Sequence, residues 1–241
     1  MIDLHCHFLP GIDDGPETLA QALELARAAV DDGITHSVLT SHVDPERYTN
    51  QLSNLELAIG EFSRELVKAS IPLEVRLGCE ARLCPELIDL LSKNQVPFLG
   101  EVDGWRILLL EFPHQMIPVG SSRFIYRLLK QKIRPLIAHP ERNKAIMAQP
   151  DKIQEFTDAG CWLQFTAGSL AGRFGDQAQR VAFQLIEEGF HCIAATDAHN
   201  LNNRPPRLSE GREALSQRYG SAVAHSMVVE RPGQIYGVDL N

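Results

Sequence analysis

The sequence lacks the long hydrophobic runs and cysteine pairs that are typical of membrane and secreted proteins. No unbroken run of hydrophobic residues exceeds four, so we expect no segment that crosses a bilayer. Asp3 lies where a signal peptide requires positive charge, and we therefore expect no export signal. The five cysteines are odd in number and include no Cys-x-x-Cys pair, which favours a reduced, cytoplasmic setting.

Dense basic clusters and several common catalytic motifs are also missing. Lys and Arg number 23 against 31 Asp and Glu, a formal net charge of −8, so we expect no nucleic-acid partner. The chain has no P-loop, dinucleotide-binding or serine-hydrolase motif, and no cysteine is followed by arginine six positions later. Cysteine catalysis is therefore disfavoured, and Cys6, Cys161 and Cys192 are expected to be buried core residues.

What the chain does contain is a repeated strand–helix unit. Short apolar segments rich in β-forming residues recur roughly every 27–38 residues, the size of one such unit. This alternation predicts a parallel sheet with helices outside it. Seven units indicate one domain over residues 1–241, a distorted seven-stranded (β/α) TIM-like barrel, with an open doubly wound sheet as the alternative. The segments begin near Ile2, Thr35, Leu73, Arg106, Arg134, Cys161 and His191.

Helical spacing separates these segments. A first helix is predicted from one apolar stripe, with Pro16 at its first position and Gly33 just after its last turn. A second helix carries the apolar face Leu52–Leu66, and a later one spans about Gly172–Glu188. The C-terminal part predicts one more helix, a short apolar piece at Met227–Val229 and a tail.

Histidines and carboxylates follow the predicted strands at the ends where barrel enzymes carry their functional side chains. Six of the seven strand ends supply such a residue, whereas the sixth ends in Gln164-Phe165-Thr166 and offers no obvious ligand. Four other histidines lack comparable partners and are interpreted as ordinary: His36, His114, His191 and His225. The candidate metal ligands are His5, His7, Asp14, His42, Glu80, Glu111, His139, Asp197 and His199.

The type and number of these donors indicate a multinuclear centre. Side chains alternate along a strand, so Asp3, His5 and His7 are expected on one face, and Leu4 and Cys6 on the other. An isolated His-x-His pattern more often has no such role, but nine donors exceed the about four to six that one ion needs. Two or three ions with a bridging carboxylate are indicated. Nitrogen and oxygen donors without thiolate suit Mn²⁺, Fe²⁺ or Zn²⁺.

Two arginines lie shortly after candidate ligands. Arg142 follows His139, and Arg204 follows His199 in a proline-containing loop. Either residue alone would more often be a solvated surface arginine, but a guanidinium can bind two phosphate oxygens at once. Three divalent ions would outweigh four carboxylates and attract a phosphate dianion despite the net charge of −8. The sequence thus favours a phosphate-containing substrate.

The opening run His5-Cys6-His7-Phe8-Leu9-Pro10-Gly11-Ile12-Asp13-Asp14-Gly15 resembles that of the polymerase-and-histidinol-phosphatase (PHP) superfamily. More narrowly, the chain resembles the metal-dependent protein tyrosine phosphatases encoded with bacterial capsule and exopolysaccharide genes. Cys6 departs from the more common Ser or Thr, and Gln164-Phe165-Thr166 differs from what relatives carry. The resemblance continues through Thr40-Ser41-His42, Gly78-Cys79-Glu80, Glu111-Phe112, Ala138-His139-Pro140-Glu141-Arg142, Thr196-Asp197-Ala198-His199-Asn200 and Arg204-Pro205-Pro206.

This resemblance implies the PHP fold, a distorted seven-stranded βα barrel, with a trinuclear and usually manganese centre. Arg142 and Arg204 match family arginines that contact phosphate. By the same analogy the ions divide the candidate ligands into three sets: His5, His7, Glu80 and Asp197; Glu80, Glu111 and His139; and Asp14, His42 and His199.

The reaction implied by the resemblance is hydrolysis of phosphotyrosine by a metal-bridging hydroxide, without a phosphoenzyme. Arg142 and Arg204 would stabilise charge on the phosphoryl oxygens, and His199 or a metal-bound water would supply a proton. The implied partner is the tyrosine-rich tail of a cytosolic or membrane-associated kinase that controls capsule or exopolysaccharide synthesis. An oligomer is compatible with the sequence. Three alternatives stay open: a small-molecule phosphatase of the histidinol-phosphatase type, a metal-dependent amidohydrolase and a non-catalytic binding module.

Overall fold

A computed structural model of the chain describes residues 1–239, which form a mixed α/β fold with mostly parallel strands. In that part of the chain the strands are β1 (Ile2–Cys6), β2 (His36–Leu39), β3 (His42–Val43), β4 (Glu74–Leu77), β5 (Glu80–Arg82), β6 (Gly100–Val102), β7 (Trp105–Glu111), β8 (Ile133–Ala138), β9 (Trp162–Thr166) and β10 (Cys192–Ala195). The α-helices are α1 (Leu19–Asp31), α2 (Leu52–Lys68), α3 (Leu87–Ser92), α4 (Ser121–Lys130), α5 (Lys144–Ala148), α6 (Gln154–Asp158), α7 (Ala167–Leu170), α8 (Asp176–Glu187), α9 (Leu208–Tyr219), α10 (Ser221–His225) and α11 (Arg231–Tyr236).

The strands form two sheets. The first has the order β1-β2-β4, and the second has the order β10-β9-β8-β7-β5-β3 with β6 antiparallel to β7. All the other pairings within these two sheets are parallel. The seven segments predicted from the sequence each begin within one residue of a strand, at β1, β2, β4, β7, β8, β9 and β10.

The sequence predicts a distorted seven-stranded barrel, whereas the strands of residues 1–239 form two mostly parallel sheets and no closed barrel is found among them. The chain leaves the strand conformation at residues 40–41 and again at 78–79, so the pairs β2–β4 and β3–β5 fall into different sheets. Short backbone contacts connect the sheets instead, since Asp197 N donates to His5 O at 2.7 Å and His7 N donates to Ala198 O at 2.9 Å. These contacts place the end of β1 beside the residues that follow β10.

The strict alternation predicted for β1 is also wrong. Leu4 packs in a smaller apolar cluster with side chains from both sheets and α11, whereas Cys6 belongs to the larger core cluster. Asp3 accepts hydrogen bonds from the backbone and hydroxyl of Thr196 and does not join the histidines. The cause is a shift in the β1–β2 register between Asp3 and Cys6, which rotates the later part of the strand.

The predicted helices form, with changes at their boundaries. α1 begins after Thr18, whose side chain and Gln21 form a reciprocal capping box, so Pro16 lies outside the helix. Gly33 follows the last turn with φ of 89°, as predicted. α8 begins four residues later than expected, after a turn at residues 172–175, and the apolar piece Met227–Val229 lies in a π-helical segment, Ser226–Glu230. No helix within residues 1–239 has the length and apolar character needed to cross a membrane.

Candidate metal centre

The candidate ligands lie close together at strand ends and at breaks between strands. Glu111 ends β7 and His139 follows β8, whereas His42 and Glu80 come directly after the breaks that follow β2 and β4.

The backbone of Gly15 packs closely against the backbone of His7, the candidate ligand directly after β1. A Cβ on Gly15 would lie only 2.4 Å from the carbonyl oxygen of His7, so this position requires glycine. His139 and Asp197 both adopt positive φ, 32° and 54°, which is uncommon outside glycine. Such conformations persist where surrounding contacts hold them, and here His139 directly follows β8 while Asp197 lies two residues after β10.

The first group consists of four buried residues, none more than 1% exposed: His5, His7, Glu80 and Asp197. One donor atom from each lies within 4.8 Å of the others. Nε2 of His5 is 3.3 Å from Oε2 of Glu80 and 3.2 Å from Oδ1 of Asp197. This arrangement matches the first of the three ligand sets implied by the family resemblance.

The second group surrounds the carboxylate of Glu80. His42, Glu80 and Glu111 offer donor atoms within 4.8 Å of one another, and Nδ1 of His42 is 3.2 Å from Oε2 of Glu80. The resemblance implies His139 in this set. Nε2 of His139 lies 2.8 Å from Oε1, the other oxygen of Glu80, while Arg82 pairs with Glu111 at 2.7 Å. Glu80 therefore has both oxygens facing histidine nitrogens.

The third group lies nearer the surface. His42 Nε2 and His199 Nε2 lie 3.3 and 3.2 Å from Oδ1 of Asp14, as the resemblance implies. His7 joins these three residues within the same 4.8 Å limit. Glu80, His7 and His42 thus each belong to two groups, so the donors form one continuous cluster rather than three separate sites.

The protonation of the cluster is set by burial together with opposing charges. Burial lowers the pKa of His7, but Asp13 and Glu80 more than offset it and raise the pKa to about 10. Burial raises the pKa of Asp197, yet Arg204, His5 and Arg142 hold it well below its usual range. Carboxylates and imidazoles at these distances stabilise each other's charged forms. A divalent cation would take the place of those protons, because the donors bind metal only when deprotonated.

Unpaired donor atoms show that the cluster fits metal ions. Oδ1 of Asp197 and Nε2 of His199 are buried and take part in no hydrogen bond among residues 1–239, since their nearest polar neighbours, His5 Nε2 and Asp14 Oδ1 at 3.2 Å, are themselves donor atoms of the cluster. Nε2 of His5 faces Nε2 of His7 at 3.3 Å. Buried polar atoms without partners are costly, and cations would satisfy these three nitrogens and the carboxylate together. Cys6 contributes nothing here, since its Sγ lies 3.6 Å from the carbonyl oxygen of Val38.

The geometry of this cluster agrees with the chain's relationships. A family model for capsular polysaccharide synthesis proteins, CpsB/CapC, matches residues 1–236. The chain belongs to the CpsB/CapC family. It is 35% identical over 227 residues to tyrosine-protein phosphatase YwqE of Bacillus subtilis (strain 168), covering 94% of this chain and 88% of YwqE. It is 26% identical over 247 residues to tyrosine-protein phosphatase CpsB of Streptococcus pneumoniae, covering 98% of each protein.

Solved structures show the same relationship. One solved structure comes from a study of YwqE from Bacillus subtilis and CpsB from Streptococcus pneumoniae, which it describes as metal-dependent tyrosine phosphatases. Its sequence is 34% identical to that of this CpsB/CapC family member. It aligns with a TM-score of 0.91 and covers 98% of this chain and 94% of that chain. An organophosphorus hydrolase variant from Deinococcus radiodurans, 15% identical with a TM-score of 0.61, covers 98% of this chain and 92% of that chain and shares the fold alone.

In this CpsB/CapC family member, the two predicted phosphate-binding arginines converge on one ligand. Arg142 and Arg204 both donate to Oδ2 of Asp197, and each is partly exposed. Arg142 also lies over the ring of Phe174, 4.6 Å from its centroid. The two guanidinium groups therefore lie beside a candidate ligand whose other oxygen, Oδ1, faces the donor cluster.

Sequence reasoning missed two residues that orient the ligands. Asp13 accepts from Nδ1 of His7 at 3.0 Å and from the backbone of His42 at 3.0 Å. Oε1 of Gln164 lies 2.8 Å from Nδ1 of His5 and 3.3 Å from the backbone nitrogen of His139. Two features of the sequence could have indicated them. Asp13 is a second aspartate directly before Asp14, and Gln164 is a polar side chain at the one predicted strand end that offers no ligand.

These contacts place three imidazoles in the same tautomer, assigned from their hydrogen-bond partners. Nδ1–H of His5, His7 and His199 faces Gln164 Oε1, Asp13 Oδ2 and the backbone oxygen of Asp197, respectively. Once a cation replaces the second proton of His7, each of the three would present an Nε2 lone pair to it, which is the usual effect of such an outer partner around a metal. The four histidines interpreted as ordinary, His36, His114, His191 and His225, belong to none of the three groups found in the described chain.

Proposed function

We propose that this protein is a metal-dependent tyrosine-protein phosphatase of capsule or exopolysaccharide synthesis, acting through a single phosphohydrolase domain. The observation that carries this proposal is the continuous cluster of buried His, Asp and Glu donors with two arginines beside it. The similarity to YwqE over 94% of the chain supports the tyrosine phosphatase assignment. The substrate we propose is the phosphorylated, tyrosine-rich tail of a kinase exposed to the cytoplasm.

We propose three divalent ions, with Mn²⁺ first and Fe²⁺ or Zn²⁺ as alternatives, because mixed nitrogen and oxygen donors suit all three metals. Bound ions would activate water for attack on phosphorus and neutralise developing phosphoryl charge. The shared position of Glu80 and His7 between groups supports more than one ion. The residues that would hold the ions are His5, His7, Asp14, His42, Glu80, Glu111, His139, Asp197 and His199.

The two arginines would bind and orient the phosphate. Arg142 and Arg204 share one oxygen of Asp197, and a phosphate dianion beside the cluster would accept hydrogen bonds from their remaining donors. Each guanidinium has five N–H donors, so the contacts to Asp197, and that of Arg142 to the Thr166 hydroxyl, leave most of them available. Charge-assisted hydrogen bonds to the equatorial oxygens stabilise the transition state of phosphoryl transfer.

The geometry favours His199 as a ligand over the proton-donating role implied by the family resemblance. Its Nδ1 faces the backbone oxygen of Asp197 at 3.0 Å, so Nε2 is left without a proton. Burial, assisted by the positive charge on His7, lowers the pKa of His199 to about 4. A neutral imidazole with a free Nε2 lone pair binds a cation and does not donate a proton near neutral pH. Phenolate is a good leaving group, and a solvent proton is sufficient.

The deciding experiment pairs metal analysis with substrate turnover. Protein purified without chelator should contain more than one equivalent of divalent ion and should hydrolyse a phosphotyrosyl peptide in the presence of Mn²⁺. Arg142→Ala should reduce kcat/KM by about 100-fold, the effect of losing one transition-state contact, while the metal content stays unchanged. Faster hydrolysis of small alkyl phosphates than of the peptide would favour the small-molecule phosphatase, and trapping of a covalent phosphoenzyme would contradict the mechanism.

A further inference from the structure

A cavity of 410 Å³ lies outside the metal centre, between the segment that follows β5 and the start of α4. We call it the side groove and define it by Leu83, Ile88, Phe124, Arg123 and Arg127. Leu83 is buried, Ile88 and Phe124 are half-buried, and the two arginines are exposed. An apolar floor thus lies below a cationic rim.

Two of the chain segments that line the side groove continue from strands that carry candidate ligands. Leu83 follows directly after β5, which begins with Glu80, and the loop before α4 follows β7, which ends with Glu111. The two segments are hydrogen-bonded, since the backbone nitrogen of Leu83 donates to the backbone oxygen of Glu111 at 2.9 Å. The side groove therefore adjoins the strands β5 and β7, which carry the candidate ligands Glu80 and Glu111.

The charge on the rim is uncompensated. Arg123 and Arg127 lie one turn apart on α4, and within residues 1–239 neither forms an ion pair or a hydrogen bond. No acidic residue lines the cavity, and α4 itself contains none, although the whole chain carries a net charge of −8. Two unpaired cations on an acidic protein favour an acidic ligand at this place.

An exposed apolar side chain also lines the cavity. Val119 is fully exposed and belongs to the lining, and the exposed Met116 and Tyr126 lie within the same stretch of 11 residues but outside the lining. Single exposed apolar residues are ordinary on a surface. An exposed valine beside an apolar floor and a basic rim suits a partner with both apolar and acidic groups.

We propose that the side groove binds the residues that flank phosphotyrosine in the substrate, with an apolar side chain in the cavity and acidic side chains on Arg123 and Arg127. This inference rests on the proposed phosphatase function and identifies the substrate class further. The metal centre recognises the phosphate, and the side groove selects acidic, partly apolar peptide sequences around it. Exposed charge pairs are individually weak, so the selection acts through several contacts together.

The test compares Arg123→Glu/Arg127→Glu with the unaltered protein on four substrates at low ionic strength. The substrates are free phosphotyrosine, a phosphotyrosyl peptide with one leucine and two glutamates near the phosphotyrosine, the same peptide with glutamines for the glutamates, and the same peptide with lysines. A matched control, Arg180→Glu/Arg212→Glu, changes the same net charge at exposed positions on α8 and α9, which contribute nothing to the side groove.

The unaltered protein should prefer the glutamate peptide over the lysine peptide, mainly through KM. In the double variant kcat/KM for the glutamate peptide should fall roughly ten-fold as attraction becomes repulsion, and that for the lysine peptide should rise. The gain on the lysine peptide excludes misfolding as the explanation, and the control variant should keep the original preference. Added salt should reduce the difference between peptides.

Two failures are distinguishable. If the unaltered protein hydrolyses phosphotyrosine and all three peptides with equal kcat/KM, the side groove does not select the substrate, and only this inference is overturned. The same holds if the double variant and the control variant change peptide preference equally. If no phosphotyrosyl compound is hydrolysed with Mn²⁺ present, the proposed function fails and the inference fails with it.

Discussion

Individual side chains outside the candidate ligand set decide which atoms the candidate ligands present to one another. Asp13 is the clearest case, since it contacts His7, the backbone of His42 and the backbone of Gly15 at about the same distance, 3.0 Å in each case. Burial raises its pKa, but His7 and His42 more than offset this and lower the pKa to about 2. An ionised Asp13 therefore orients one ligand and fixes the position of another.

Replacing Asp13 by asparagine should weaken metal binding without removing a ligand atom. The amide keeps the size of the side chain but loses the charge that fixes the tautomer of His7, and such outer partners contribute about 10–100-fold in metal affinity. The measurement is calorimetric titration of Mn²⁺ into protein stripped of metal. Asp31→Asn, at an exposed position in α1, is the control and should bind as the unaltered protein does. Equal affinity for both variants would contradict the orienting role.

His191 gives a pH prediction that is separate from the metal centre. Its ring stacks on Trp162 with centroids 3.8 Å apart, and its Nε2 has no partner within the described chain. Burial, with help from Arg231 and Arg134, lowers its pKa from the ordinary 6.5 to about 4. Protonation then favours the unfolded chain, so this contribution to stability is complete above pH 6.5 and is lost as the pH falls toward 4.

His191→Gln should remove that dependence. The free energy of unfolding of the unaltered protein should fall between pH 6.5 and 4 by about 1–2 kcal/mol more than that of the variant, a discounted value because solvent screens a partly exposed ring. Urea unfolding of both proteins across this pH range measures the difference in their free energies of unfolding as a function of pH. The difference in the free energy of unfolding should stay constant above pH 7.5, where His191 is neutral in both the folded and the unfolded chain. A difference that stays constant down to pH 4 would rule out the lowered pKa.

Among the secondary-structure elements, two glycines inside helices have opposite roles. Gly211 in α9 packs against α7, and a Cβ added there would lie 2.8 Å from both Cα and Cβ of Ala167. Gly60 in α2 has open space, with its nearest neighbour the end of the Arg64 side chain at 3.9 Å. Helix propensity favours alanine over glycine equally at both positions. A difference between the two alanine variants in the free energy of unfolding therefore reports the packing of α9 on α7.

The prediction is that Gly60→Ala stabilises the protein by about 0.5–1 kcal/mol, the usual gain from helix propensity. Gly211→Ala should destabilise it by about 1–3 kcal/mol, because a backbone neighbour cannot move aside as a flexible side chain does. Urea unfolding at one pH and one metal concentration compares the two variants directly. Stabilisation by both alanines would show that α9 can shift away from α7 without cost.

Across the whole molecule, the metal centre should stabilise the fold, because its ligands come from segments spread along nearly the whole chain. Chelation should lower the melting temperature by about 5–10 °C, since an ion at 100 times its Kd contributes ~3 kcal/mol to a chain of this size. Differential scanning calorimetry with and without chelator measures this shift. The same chelator saturated with Mn²⁺ is the control. An unchanged melting curve after exhaustive chelation would argue against a multinuclear site.

Sequence predictions succeeded where the feature depends on neighbouring residues along the chain and failed where it depends on a remote segment. The strands that start near Ile2 and Trp162 follow from short apolar runs, and α2 follows from its apolar face, because period and residue type are properties of neighbouring residues. The alternation along β1 failed because a register shift against β2 rotates the strand after Asp3. That shift depends on the partner strand and leaves no pattern in β1 itself.

The sequence by itself determined seven of the ten strands that residues 1–239 form, and the nitrogen and oxygen donors that the candidate metal groups bring together. Only the tertiary structure decided that the strands form two sheets, that His7 and Glu80 are each shared between donor groups, and that Gln164 orients His5 from 159 residues away. The reason is physical, because the type of donor atom depends only on the residue itself. Which ligands two groups share, how each ligand is oriented and how the strands pair depend on distances between segments that are remote in sequence.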